Sequence, residues 1–388
     1  MNKILFLLNS NGHMDRDLVY SLQQAGHEIL VDQITAAKTP EGHLAELISS
    51  EHFIEMLENF RPEVVFSLNG RGVDNDGFCA DQMHRRGIPY VTWYVDQPRQ
   101  ANMGKRHLAG NTWIFCFERY FVPQLKGWGY EHAFYLPLAT NPDRFRPLAL
   151  ETDMSVCFVG ESDYAKIDYL ARNLDLQLGN LGDDFYDVLD KAINLLLASP
   201  GCHAGQLVQA ATLGSSLSWE NLRDDQKDML EGFVEREAGL RQRLAFLAGL
   251  NEHFDLVIYG DDLWRKSFGD RCRGKAGYFD DSIVKVYNRH PVHVNISKFQ
   301  LITAINQRPF DVSACGAFVL TDERESLREL FGPDEVVSYR DMEELVELAG
   351  YYLRNADERI RISRRARARV LKEHTYKHRI DEILRLVN

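Results

Sequence analysis

The chain has 388 residues, 45% of them hydrophobic and 26% charged, and carries a formal net charge of −12. That length exceeds what one hydrophobic core usually serves and predicts two domains, and the composition excludes collagen-like and disordered classes. The acidic balance opposes encounter with nucleic acid or anionic lipid, so no nucleic-acid partner is expected. The first residues, MNKILFLLNSNG, turn polar at Asn9 and read as a strand rather than a leader. No run approaches the roughly 18 apolar residues of a membrane span, so the expectation is a cytoplasmic chain without a transmembrane segment. Lys3–Leu8 is continuously apolar, as in a parallel strand buried on both faces. A helix over Asp15–Ala25 and a strand over Glu28–Val31 follow. A helix is predicted over Glu46–Asn59, stopped by Arg61-Pro62 before a strand at Glu63–Leu68. A helix over Asp76–Arg86 ends at Gly87. Strands at Pro89–Val95, Thr112–Phe117 and His132–Leu136 follow, with a helix at Arg119–Trp128 between the last two.

At Pro137 the rhythm gives way to LPLATNPDRFRPL, which reads as a linker. Beyond it comes a strand at Ser155–Val159, then an almost purely helical stretch from about 165 to 250. Strands resume at Asp255–Tyr259, Val292–Ile296, Ala317–Thr321 and Glu335–Ser338. Helices at Met342–Arg354, Asp357–Glu373 and Lys377–Val387 close the chain. The arginine-rich run Arg361–Arg369 reads as a solvated helix face. Alternating strands and helices predict an α/β protein of two doubly wound, Rossmann-like domains, 1–140 and 141–388. The second carries a helical insertion, and the last helix is free to pack back on the first. Ligands of such sheets bind beyond the carboxyl ends of the strands, where strand order reverses, and facing sheets predict a central cleft there.

The six cysteines, Cys79, Cys116, Cys157, Cys202, Cys272 and Cys315, contain no CxxC pair, which argues against a zinc site and a disulfide framework. The most informative stretch is VNISKFQLITAINQRPFDVSACGAFVLTD, Val294–Asp322. Pro309 suits a first helical turn and Gly316 the exit. A helix start there exposes backbone N–H groups beside Arg308, with Lys298 close in sequence, and donors plus positive charge are what a pyrophosphate needs. Asp311 is placed to accept ribose hydroxyls, although a first-turn carboxylate is equally a partner of the helix dipole. These residues alone point to a phosphate-containing ligand. No Asp-x-Asp is present at Asp261-Asp262, so no metal cofactor is expected.

The segment INQRPFDVSACGAFVLTD resembles the signature of the CgeB-like (spore-maturation-type) glycosyltransferases of the GT-B superfamily. FERYFVPQLKGWGYEHAFYLPLATNPDRFRP, WYVDQP and the chain's ending are similar to that family as well. The resemblance implies a glycosyltransferase with a nucleotide-sugar donor in the second domain and a protein or glycan acceptor. It places Asp311 as the ribose-binding acid, Gly277 and Tyr278 near the base, and Gly160 at a tight turn facing the phosphates. Asn306, Lys298, Arg308 and Gly316 complete the expected donor site. Retaining relatives carry an acid eight positions before Asp311, where this chain has Thr303, so stereochemistry stays open. A nucleotide-sugar epimerase and a non-catalytic nucleotide-sugar-binding protein are alternatives on the same fold. The loop NSNGHM lacks the G-x-G-x-x-G of a dinucleotide oxidoreductase.

On the first domain, His13 follows the first strand in a loop similar to that of inverting GT-B enzymes, where a histidine takes the acceptor proton. A capping role for His13 is the alternative. Asp96 in WYVDQP, held extended near Pro98, is the rival base or else a turn carboxylate. The loop Asn69, Gly70, Arg71, Gly72 and the basic loop with Arg99, Lys105 and Arg106 are further candidates for contact with donor phosphate or an anionic acceptor.

Overall fold

The computed structural model describes the chain except residues 10–11, 35, 39–43, 47–48, 71–76, 99–109, 179–183, 279 and 388, with backbone alone at 9, 33–34, 36–38 and 44–46. Arg71, Gly72, Arg99, Lys105 and Arg106 lie outside the described residues. The chain forms two compact units, Met1–Asn141 with Lys372–Asn388, and Pro142–Leu371.

The first unit contains β1 (Lys3–Asn9), β2 (Glu28–Ile34), β3 (Ala36–Lys38), β4 (Leu44–Glu46), β5 (Val64–Leu68), β6 (Tyr90–Tyr94), β7 (Thr112–Cys116) and β8 (His132–Tyr135). Six of these form one parallel sheet in the order β2-β1-β5-β6-β7-β8. Every residue of β5 and β6 is buried, the polar Ser67 and Thr92 included, as expected of parallel strands covered on both faces. Strand order reverses between β1 and β5. The short antiparallel pair β3 and β4 was not expected. It takes Glu46 out of the predicted helix, which starts instead at Ser50, where the Ser49 hydroxyl accepts from the His52 N–H at 3.2 Å. The helix predicted at Arg119–Trp128 divides into a 3-10 turn, Arg119–Phe121, and an α-helix, Val122–Gly127. Pro123, which has no N–H to donate, sits in the first turn of the latter. Residues 372–388 return to this unit. Arg379 donates to the Pro137 carbonyl at 2.7 Å and the Leu138 carbonyl at 3.0 Å, and Tyr376 packs edge-on against Trp93.

The second unit contains β9 (Val156–Val159), β10 (Leu256–Tyr259), β11 (Val292–Asn295), β12 (Val319–Asp322) and β13 (Val337–Tyr339), all parallel, in the order β10-β9-β11-β12-β13. Its reversal lies between β9 and β11. Between β9 and β10 the chain makes four α-helices, Tyr164–Leu178, Phe185–Ala198, Ala204–Ala211 and Asp224–His253, and no strand among the described residues. This insertion has a core of its own, built from residues such as Leu174, Leu189, Ile193 and Val208. The 30-residue helix Asp224–His253, about 45 Å long at 1.5 Å per residue, ties it to the sheet. Leu230, Val234 and Ala238 near its start join the insertion core, while Leu247 and Leu250 near its end join the core beneath the sheet.

Candidate functional site

The reversal point of the second unit is built from charge. Beyond β9 the chain passes Gly160, Glu161 and Ser162 and reaches Asp163, whose φ of 65° is left-handed, a conformation uncommon for a non-glycine residue. Its buried carboxylate lies 2.7 Å from the Lys298 ammonium, 3.3 Å from that of Lys166 and 3.4 Å from the Arg243 guanidinium. Burial by itself would raise the Asp163 pKa. The cations, Lys298 foremost, overcome it and hold the group at about 2. Arg243 also donates to the Glu161 carbonyl at 2.9 Å, so the long helix fixes this loop directly. Gly160 has a packing role. A Cβ there would come within 2.8 Å of the Phe158 ring, and its carbonyl accepts from the Trp264 indole at 2.8 Å. Its φ is not in the left-handed region; the left-handed residue of this loop is Asp163.

Beyond β11 the second half of the site begins at Asn295, which is fully buried. Its side-chain oxygen accepts from Asn306 Nδ2 at 2.8 Å and from the Arg308 guanidinium, while its own amide donates to Thr321 Oγ1 at 2.8 Å. Asn306 in turn accepts from the Arg308 backbone N–H at 3.3 Å. The loop 296–307 is clamped at its other side. The Ser297 N–H donates to Asp322, Asp322 accepts from Arg324 at 2.7 Å, and the Ser326 N–H donates to the Thr303 carbonyl. A short helix, Arg308–Ala314, follows with Pro309 in its first turn. The Arg308 guanidinium thus stands at a helix start, 6.0 Å from the centroid of the Phe158 ring. Asn306 and Arg308 are therefore brought together, whereas Lys298 is engaged with Asp163.

Asp311 is fully buried and accepts from Gln307 Nε2 at 3.0 Å. Tyr278, predicted near the base, falls within electrostatic reach of Asp311 and Arg308. Its hydroxyl pKa is raised, first by burial and then by Asp311. The ring meets Phe145 edge-on, and its hydroxyl lies 3.4 Å from that of Tyr287. Gly277 belongs to the same turn, exchanging hydrogen bonds with the Ser282 hydroxyl at the start of the helix Ser282–Arg289. Gly316 sits at the opposite end of the Arg308 helix as its left-handed exit, with φ 71°. Sequence reasoning missed Asp163, Arg243 and Asn295. The signal available for two of them was positional: a polar residue within five positions of the end of a strand flanking the reversal.

In the first unit His13 opens the helix His13–Gln24, directly after β1. Gly12 precedes it because the Asp15 carboxylate folds back over that position; a Cβ on Gly12 would overlap it at 1.6 Å. Asn69 and Gly70, both with positive φ, turn the chain out of β5. The Asn69 amide oxygen accepts from the N–H groups of Val95 and Asp96 at 2.8 and 3.2 Å, and its Nδ2 donates to the Asp96 carboxylate at 2.9 Å. The Gly70 N–H donates to Thr92 Oγ1 at 2.8 Å, and a Cβ on Gly70 would strike the Tyr94 hydroxyl. Asn69 and Asp96, noted separately in the sequence, therefore form one hydrogen-bonded unit across β5 and β6. His13 leaves the strand next to β5 in the sheet.

Among the described residues no three or more His, Cys, Asp or Glu side chains cluster as metal ligands would, and no helix is long and apolar enough to cross a membrane. Residues 236–385 match the family described as "Glycosyl transferase-like". None of the curated protein sequences is significantly similar to the chain. Among solved structures the chain is similar to a glycosyltransferase from Rickettsia africae ESF-5, with 10% identity and a TM-score of 0.55 over 100% of this chain and 97% of that one. It is also similar to a sucrose-phosphate synthase from Thermosynechococcus elongatus, with 13% identity and a TM-score of 0.53 over 100% and 99% of the two chains. These likenesses establish the fold as GT-B.

Proposed function

From a glycosyltransferase domain on a GT-B fold, we propose that this enzyme moves a sugar from a nucleotide-sugar donor to a protein or glycan acceptor, in the cytoplasm, by a metal-independent route of the CgeB-like kind. The observation that carries the reading is Arg308. It is a cation fixed by Asn295 at a helix start, beside the carboxyl ends of β9 and β11, inside the segment that matches the family. In a transfer reaction the breaking bond leaves negative charge on a nucleoside diphosphate, and a pre-oriented guanidinium stabilises that charge as it develops. The backbone N–H groups expected to be exposed at this helix start are instead taken up, that of Arg308 by Asn306 and those of Phe310 and Asp311 by the Gln307 carbonyl, while Pro309 has none. Lys298 adds a second cation once the diphosphate competes with Asp163 for it.

Asp311 is assigned to the donor ribose. Gln307 holds its Oδ1, and the remaining lone pairs of the carboxylate are those a ribose hydroxyl would use. Tyr278 and Gly277 flank the base. On the acceptor side His13 is the preferred proton acceptor, since it opens a helix directly after β1 in a loop similar to that of inverting GT-B enzymes. Asp96 remains the rival. Titration of the protein with UDP, GDP and ADP in a calorimeter tests the donor half: one of the three binds, and Arg308→Ala weakens it. Binding of none removes the reading. Product analysis without acceptor separates transfer from epimerisation, because an epimerase changes the sugar of its donor unaided.

A further inference from the structure

The second unit holds a cleft of about 740 Å³ that none of the donor-site residues lines. It lies in the helical insertion, between the helices Tyr164–Leu178, Phe185–Ala198 and Asp224–His253, and its size falls within the roughly 300–1,000 Å³ of small-molecule sites. Most of its lining precedes residue 236 and so lies outside the segment that matches the family. Its lining includes Tyr164, the residue after Asp163, so the cleft adjoins the loop that follows β9.

Its chemistry is mixed and, in charge, already settled. Arg241 pairs with Asp190 at 2.8 Å and with Glu237 at 3.0 Å, and the Lys266 ammonium stands 5.3 Å from the Tyr164 ring centroid. Both cations of the lining are thus engaged, which disfavours an anionic occupant. The carboxylate oxygens keep lone pairs that hydroxyl donors can use. The aromatic side chains of Tyr164, Tyr186 and Phe233 line the same cleft. Tyr186 is the telling residue: its side chain is largely in solvent, at 62% exposure, yet its hydroxyl is tied to Asp175 on the neighbouring helix and its ring packs edge-on against Phe185. An exposed aromatic ring held in one orientation is a stacking platform at low entropic cost.

Aromatic side chains together with carboxylates already paired to a cation match a ligand with apolar C–H faces and many hydroxyl donors. The geometry points to a binding subsite for a neutral saccharide in this cleft, serving to hold the glycan acceptor. The acceptor role rests on the transferase reading, whereas saccharide binding itself does not.

The test uses the full chain and saturation-transfer NMR with maltotriose, cellotriose and N,N′,N″-triacetylchitotriose, beside calorimetry with the nucleoside diphosphates. At least one trisaccharide is expected to bind. Tyr186→Ala should weaken it roughly tenfold, the scale of one lost aromatic contact. Tyr169→Ala, equally exposed but outside the cleft, should leave it unchanged. Both positions are at the surface, so both variants should fold, and nucleotide affinity should be unaltered in each. Binding of no trisaccharide, or equal affinity in wild type and Tyr186→Ala, overturns the subsite. Saccharide binding without any nucleotide binding keeps the subsite and sinks the transferase reading instead.

Discussion

The reversal points of the two sheets occupy equivalent places in their units but are made of different material. Around β9 and β11 the side chains are charged and mutually compensated: Asp163 against Lys298, Lys166 and Arg243, with Arg308 braced by Asn295. Around β1, β5 and β6 the described groups include an amide, Asn69, stitching one carboxylate and two backbone N–H groups, with one imidazole at a helix start. One topology therefore presents a compensated ionic cluster and a braced arginine in one unit, and an amide-tied carboxylate with an imidazole in the other. The layout of the sheet decides where a site lies, and the few residues past the strand ends decide what it does.

The sharpest way to break that comparison is to remove the proposed base. His13→Ala should lower kcat by roughly 10²–10⁴, as loss of a general base does, with donor affinity unchanged by calorimetry. If Asp96→Asn shows that loss and His13→Ala does not, the roles are exchanged. Next in size, Arg308→Ala should raise the Kd of the nucleoside diphosphate about 100-fold, or ~3 kcal/mol, with Arg308→Lys intermediate because it cannot make the same fork. A nucleotide affinity untouched by either change would mean that the anion surface lies elsewhere.

Asp163→Asn probes stability rather than binding. Removing one member of a buried ionic cluster leaves Lys298 and Arg243 facing each other, and unfolding by urea at pH 7 should show a loss of about 3 kcal/mol. The depressed folded pKa, about 2, means that the wild-type contribution is complete above the unfolded value near 3.9 and disappears as pH falls through 2. The variant should lack that acid limb.

The smallest effect concerns His293 on β11, whose pKa is driven down to about 3, first by burial and then by His290. The unfolded histidine titrates near 6.5 and gains a proton that the folded one refuses. Stability from this group is therefore full above about pH 6.5 and falls as pH drops toward 3. Between pH 7.5 and 5 the expected loss is about 2 kcal/mol, and His293→Gln should flatten it. A wild-type stability that is level over that interval would show the imidazole to be solvated.

The repeated strand and helix signals were legible because the buried parallel strands are largely apolar and helix ends carry their own punctuation, as at Gly87 and Pro309. The group of Asn306, Arg308 and Asp311 was legible for a similar reason: the residues are consecutive turns of one segment, so their proximity is local. Asp163, Arg243 and Asn295 were not, because their meaning depends on partners 13 to 135 positions away, as the pairs Asn295–Arg308 and Asp163–Lys298 show. At Gly160 the tertiary structure adds a packing reason for glycine, the space that the Phe158 ring needs. Local periodicity and turn chemistry are written in neighbouring residues, so the sequence alone determined the alternation of elements and the family likeness of residues 236–385. Which cation faces which carboxylate, and how deeply each is buried, depends on distant segments meeting across a sheet. That was decided only by the tertiary structure, since the electrostatics of a group are set by whatever excludes water from it.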